Sequence, residues 1–241
     1  LAGCYLVNHR DNDRLLLAHA IEPEYWSLAV EFGSEELLFN GRTESQNDVL
    51  DLAYQLLAEK CKSEASRRAA LWSAKMAALV GVAAIKEDTL KDGAAYLERI
   101  LKTNLWLLES DLSPVERADA GRALAKLGDS RPGVMDVDVL EFGLIPAGKF
   151  YLGSKEGEGD SDERPQQQLD LPAFWMSRYP ITNAQYAAFV EDGGYQDADL
   201  WAEAKAVQVW QDGKVKGGWD NEPREAPENF GEPFSFSNHP V

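Results

Sequence analysis

Hydrophobic residues recur at helical spacing up to about residue 130 of this 241-residue chain, and the pattern stops at Pro132. One layer architecture cannot serve both periods, so the chain reads as two domains: a helical one over 1–132 and a strand-and-coil one over 140–241. The switch is sharpest in "LSPVERADAGRALAKLGDSRPGV" (112–134). There Ser113 is placed to cap a helix, Pro114 to occupy its first position and Glu116 to complete a capping box. Val115, Ala118, Leu124 and Leu127 read as its inner face. Gly128 ends the helix and Pro132 forbids its resumption.

Three earlier segments share the helical period. In "SQNDVLDLAYQLLAEK" (45–60), Val49, Leu50, Leu52, Ala53, Leu56 and Leu57 form one stripe. "RRAALWSAKMAALVGVAAI" (67–85) is apolar nearly all round, as befits an inner helix. In "AAYLERILKTNLWLLES" (94–110), the inward set is Tyr96, Leu97, Ile100, Leu101, Leu105 and Leu108. Short helices in succession predict a stacked, repeat-like array, although no specific repeat period stands out.

Beyond Pro132, "VMDVDVLEFGLIPAGKFYLGS" and "LDLPAFWMSRYPI" alternate between turn residues and read as short strands, with an acidic loop between them. "TNAQYAAFVEDGG" (182–194) is one helix. Thr182 and Gln185 form its capping box, Tyr186 and Phe189 face inward, and Gly193-Gly194 stop it. The rest, from Tyr195 onward, is rich in Gly, Pro and Trp and has little periodicity. Long segments of that kind carry function or pack through their aromatics. Trp201, Trp210 and Trp219 recur within it at nine-residue intervals. They are the candidate ligand surface, set against the plainer reading that their indoles pack the loops.

A formal net charge of −17 repels phosphate backbones and anionic bilayers, so neither nucleic acid nor a membrane surface is an expected partner. No apolar run reaches the ~18 residues of a membrane span. The chain opens "LAGCYL" without an initiator Met or a signal peptide, which reads as a piece of a longer polypeptide. Two cysteines, Cys4 and Cys61, suggest reduced thiols and a cytoplasmic location. Cys4 reads as a small core residue. Cys61, flanked by Lys60 and Lys62, would have a somewhat lowered thiol pKa if it reacts, and is otherwise a surface thiol at a helix end. His9, His19 and His239 share no metal-ligand spacing, and His239 reads as a support for the "HPV" turn. "EGEGDSDERP" lacks the spacing of a calcium loop, and no glycine pattern supports a phosphate loop. No catalytic, cofactor or metal residue is assigned.

"IPAGKFYLGS", "DERP", "LPAFWMSRYPITNAQYAAFV", "GGY" followed by Trp201, and the closing "NHPV" resemble, in order and spacing, the formylglycine-generating enzyme or sulfatase-modifying-factor family. The resemblance covers roughly 140–241 and implies the front of a C-type-lectin-like fold. It implies that Glu163, Arg164 and Pro165 form a structural ion pair or loop anchor. The family's catalytic thiols belong to a later part of the domain, so neither Cys4 nor Cys61 inherits that role. Copper or calcium would be a cofactor only through such a later part. A related iron-dependent group takes histidines from a preceding helical domain, but His9 and His19 do not match its pattern.

The helical half, through "LAGCYL" and "ERADAGRALAKLGDSRPGV", resembles the arm of NACHT-type signalling NTPases. Together the two resemblances imply a non-catalytic sensor: a helical arm, an NTPase upstream in the same polypeptide, and a lectin-like domain that binds a protein or other ligand. Its C-terminal surface would be of the kind diversified by retroelements. The alternative is a copper-dependent formylglycine-generating oxidase with its cysteines beyond residue 241, and a third reading is a structural fragment whose helices oligomerise.

Overall fold

The computed structural model describes residues 2–3, 12–22, 26–40, 45–218 and 222–241. These form helices and three two-stranded sheets, divided between two compact units. One unit holds Leu1–Ser130 together with Phe230–His239, and the other holds Arg131–Asn229 with Pro240–Val241. The period change at Pro132 lies two residues from the division. The sequence carries no comparable signal for the grouping of 230–239 with the helices.

In the first unit the described helices are α1 (Asn12–Ala20), α2 (Ser27–Asn40), α3 (Ser45–Leu56), α4 (Glu64–Val80), α5 (Val82–Glu87), α6 (Gly93–Leu107) and α7 (Pro114–Leu127). The nearly all-apolar α4 packs against each of the other six, and buries Ala70, Ala74, Met76 and Ala77 almost completely. Small residues there let neighbouring backbones approach, and each fully buried large apolar side chain contributes about 2 kcal/mol. The helical pattern does not run through to Ile85 as one helix. Gly81 adopts φ 95°, which an L side chain resists, and the chain breaks there between α4 and α5. All six residues of the expected α3 stripe are buried.

Two other faces are rotated from expectation. In α6, Leu107 and Asn104 are fully buried, whereas Leu105 is only half-buried. In α7, Val115 and Ala118 are exposed, and Glu116, Ala120 and Ala123 turn inward with Leu124 and Leu127. The inward Glu116 is paired. Glu116 Oε1 receives the Nε–H of Arg68 at 2.6 Å, and its other oxygen accepts the Ser113 N–H at 2.9 Å. So paired, the carboxylate is satisfied in the interior.

Among the described residues no helix is long and apolar enough to cross a membrane. In the second unit β1 (Phe142–Ile145) pairs antiparallel with β4 (Phe174–Ser177), and β2 (Gly148–Leu152) with β3 (Gln167–Leu171). Helix α8 (Asn183–Glu191) and the short α9 (Ala202–Ala206) follow. A small ladder of β5 (Trp210–Gln211) and β6 (Lys214–Val215) closes the series.

Candidate ligand-binding surface

Helix α8 is fixed at its start by buried polar groups. Thr182 Oγ1 accepts the Gln185 N–H at 3.4 Å, while Gln185 Oε1 accepts the Thr182 N–H at 3.0 Å. Both side chains then reach back to the chain that precedes β1. Thr182 Oγ1 donates to the Val134 carbonyl at 2.7 Å, and Gln185 Nε2 donates to the carbonyls of Gly133 at 2.8 Å and Asp136 at 3.2 Å. Since Thr182 and Gln185 are almost fully buried, each bond also avoids the cost of an unsatisfied interior group. The capping box read from the sequence is therefore also a clamp. The Val241 N–H adds to it by donating to the Ile181 carbonyl at 3.1 Å.

From that helix the aromatics build inward. Tyr186 and Phe189 stand 5.4 Å apart, Tyr195 lies 5.9 Å from Phe189, and Trp201 lies 5.3 Å from Tyr195. The hydroxyls of Tyr186 and Tyr195 share a 3.1 Å hydrogen bond. Burial, and then this bond, push the Tyr195 phenol well above its ordinary range, so it stays protonated. Gly194 is needed for the close approach, because a Cβ there would stand 2.1 Å from the Phe189 ring.

The two described candidate tryptophans do the same job side by side. Trp201 Nε1 donates to the Gly194 carbonyl and Trp210 Nε1 to the Tyr195 carbonyl, both at 2.8 Å. Trp210 is buried, with the Lys205 ammonium 5.6 Å from its ring centroid, and Trp201 is half-buried. These geometries suit loop packing: an indole N–H is the only polar group each ring has, and both are used internally. Trp219 lies outside the described residues.

Exposed apolar area sits instead on the strands, which the sequence reading passed over. Leu144 faces Trp175 across the β1–β4 ladder, at 56% and 66% exposure, and Tyr151 on β2 is 66% exposed. Phe142 and Met176 are also more than half exposed. "FGLI" and "FWMS" are apolar at consecutive positions, the pattern of strands covered on both faces, and that was the available signal.

Other expectations resolve locally. Cys61 is half-buried, and desolvation pushes its thiol up despite the nearby charges of Arg67 and Arg99. The lowered value suggested by flanking lysines is corrected accordingly. His19 stacks on Trp26 at 4.0 Å, with Nδ1 3.3 Å from Glu22 Oε2. His239 meets Phe234 edge to face at 5.5 Å, and its N–H donates to the Phe236 carbonyl at 3.0 Å. Glu163 anchors its loop by accepting the Ser154 hydroxyl at 2.8 Å, while Arg164 donates to the Asp160 carbonyl. Cys4 and His9 lie outside the described residues. Among those described, no group of three His, Cys, Asp or Glu is placed to hold a metal.

Residues 135–234 match the model of the sulfatase-modifying factor enzyme 1-like domain. The chain is 39% identical over 75 residues to hercynine oxygenase of Mycolicibacterium smegmatis, covering 30% of this chain and 17% of that protein. It is 34% identical over 65 residues to serine/threonine-protein kinase Pkn1 of Chlamydia trachomatis, covering 27% of this chain and 10% of that one. It is 36% identical over 52 residues to the bovine formylglycine-generating enzyme, covering 21% and 14%. The chain thus spans less than a fifth of the length of each of these relatives.

Proposed function

Because residues 135–234 belong to the sulfatase-modifying-factor, or formylglycine-generating-enzyme-like, family, we propose that they serve as a non-catalytic recognition scaffold within a larger polypeptide. The observation that carries this is the variety of its relatives. Related segments occur in proteins named an oxygenase, a protein kinase and a formylglycine-generating enzyme, which share no single reaction. A segment common to three chemistries is best understood as a framework on which different sites are built. Its surface supports that reading: the Leu144–Trp175 pair and Tyr151 present rigid apolar and aromatic area of the sort that anchors protein ligands.

In this reading the helical unit is an arm that relays ligand binding to an NTPase domain elsewhere in the same polypeptide, in the manner of NACHT proteins. The partner is a protein engaged by the strands, with half-buried Trp201 as a further candidate contact and sequence diversity concentrated toward the C-terminal side. The cytoplasm is the expected compartment, given an acidic chain with two thiols.

The second reading is a formylglycine-generating oxidase, favoured by the name of the bovine relative. The two separate in one experiment on the full-length polypeptide, incubated with copper, dioxygen and a cysteine-containing peptide. The scaffold reading expects the peptide to be recovered with its thiol unchanged in mass. Aldehyde formation at that cysteine, with multiple turnovers per protein, would replace it by the oxidase.

A further inference from the structure

The helical unit carries an open cavity of about 460 Å³ between α2, α4, α7 and the segment Phe230–His239. That volume falls within the ~300–1,000 Å³ of small-molecule sites. Trp72, Met76 and Leu79 of α4 give it an apolar floor, and Pro233 and Phe236 give it an apolar wall.

The charges around it are almost all spoken for. Lys75 lies 3.3 Å from Glu31 and 3.5 Å from Asp119, with its ammonium 4.2 Å from the Trp72 ring centroid. Arg122 donates to Asp119 at 2.6 Å. Lys126 donates to Glu232 at 3.1 Å and stands 5.1 Å from the centre of Phe236. Every cation of the lining is thus paired. Four carboxylates line the cavity against three cations, and the remaining one, Glu35, has no partner among the described residues.

We propose that this cavity binds a small organic cation, an ammonium or guanidinium on a short aliphatic chain, with its charge received by Glu35. An entering anion would meet a surplus of carboxylates and would have to dislodge an existing ion pair. A neutral molecule would desolvate Glu35 and leave it unpaired. A cation completes the pairing, and its methylenes cover Met76, Leu79 and Phe236. The net charge of −17 favours its approach at long range. Because Pro233 and Phe236 belong to the 230–239 segment, occupancy would also tighten that segment on the helices.

The test is calorimetric titration of the intact chain at low ionic strength with agmatine and putrescine, and with succinate as the anionic counterpart. Agmatine should bind at one site. Glu35→Gln should weaken it about tenfold or more, as loss of a charge-assisted hydrogen bond does, with an unchanged melting temperature because Glu35 holds no other group among the described residues. Phe236→Ala should weaken it severalfold while leaving every charge in place. The proposal is overturned by the absence of agmatine binding at millimolar concentration, by equal affinity in Glu35→Gln, or by succinate binding more tightly than agmatine.

Discussion

Arg68 and Glu116, 48 residues apart in sequence, meet at 2.6 Å with their side chains only 13% and 11% exposed. The pair ties α4 to α7 and lies on the face of α7 that also buries Ala120, Ala123, Leu124 and Leu127. Burial alone would resist ionising Glu116. The backbone and side chain of Ser113 and the Arg68 guanidinium outweigh it, and together hold the carboxyl below its ordinary value. Such a depressed pKa contributes stability that is present above the unfolded-state value of about 4.3 and disappears as pH falls through the lower folded value.

Two outcomes follow for the pair. Urea unfolding should show stability falling below about pH 4.3, and Glu116→Gln should flatten that part of the profile. At pH 7, Glu116→Ala should cost about 2 kcal/mol, because it removes one of the two carboxylates that hold Arg68, the other being Glu64, and opens the capping box. A loss under 0.5 kcal/mol would show that Arg68 finds its needs met by Glu64 alone.

The rotation of α7 explains how far the sequence could be read. Helix positions, caps and the α3 stripe are legible because they depend on residues within one or two turns of each other. Thr182 with Gln185 and Ser113 with Glu116 are both local pairs. The inward turn of Glu116 needs Arg68, and no local pattern announces a partner 48 residues away. The same holds for the strands. Of the candidate tryptophans in the irregular segment, Trp210 is buried and bonded, whereas Trp175 and Tyr151 on the strands are exposed. Exposure on a strand depends on what covers it, which composition does not encode.

Gly194 offers a direct check on the aromatic cluster. A methyl group there collides with the Phe189 ring at 2.1 Å, so Gly194→Ala should destabilise the second unit by about 1–3 kcal/mol through overpacking. Adding Phe189→Leu should recover part of the loss. Thermal melts of the two single variants and the double variant measure the coupling, and strictly additive losses would place the clash elsewhere.

Thr182 combines two duties that separate experimentally. Thr182→Ser keeps the hydroxyl that caps α8 and reaches Val134, whereas Thr182→Ala removes both bonds. The Ala variant should lose about 2 kcal/mol, at the upper end for a cap, because the Val134 carbonyl loses its donor too. The Ser variant should stay within about 0.5 kcal/mol of the parent in urea titrations, since it retains both hydrogen bonds.

Cys61 should react slowly. With its thiol pushed up by burial, little thiolate exists near neutrality, and only the thiolate is a nucleophile. In a Cys4→Ser background, iodoacetamide should label Cys61 more slowly than a free cysteine peptide at pH 7.5, with the gap narrowing as pH rises. Labelling faster than the peptide would restore the lysine-activated thiol that the local sequence suggests.

Asn238 pins the Phe230–His239 segment. Its side-chain nitrogen donates to the Gly121 carbonyl and to Asp129 Oδ2, each at 2.8 Å, and Lys126 holds Glu232 nearer the start of the segment. Within the segment, the N–H groups of Ser235, Phe236 and His239 donate to the carbonyls of Gly231, Pro233 and Phe236. A short turn of this kind has little propensity of its own, so its order depends on anchoring. Asn238→Ala should therefore raise hydrogen exchange at those three amides about tenfold or more, a loss of roughly 1.4 kcal/mol or above of local stability. The buried amides of α4 should be unaffected. Unchanged exchange in the segment would mean that Lys126 and the Phe236 contact hold it without Asn238.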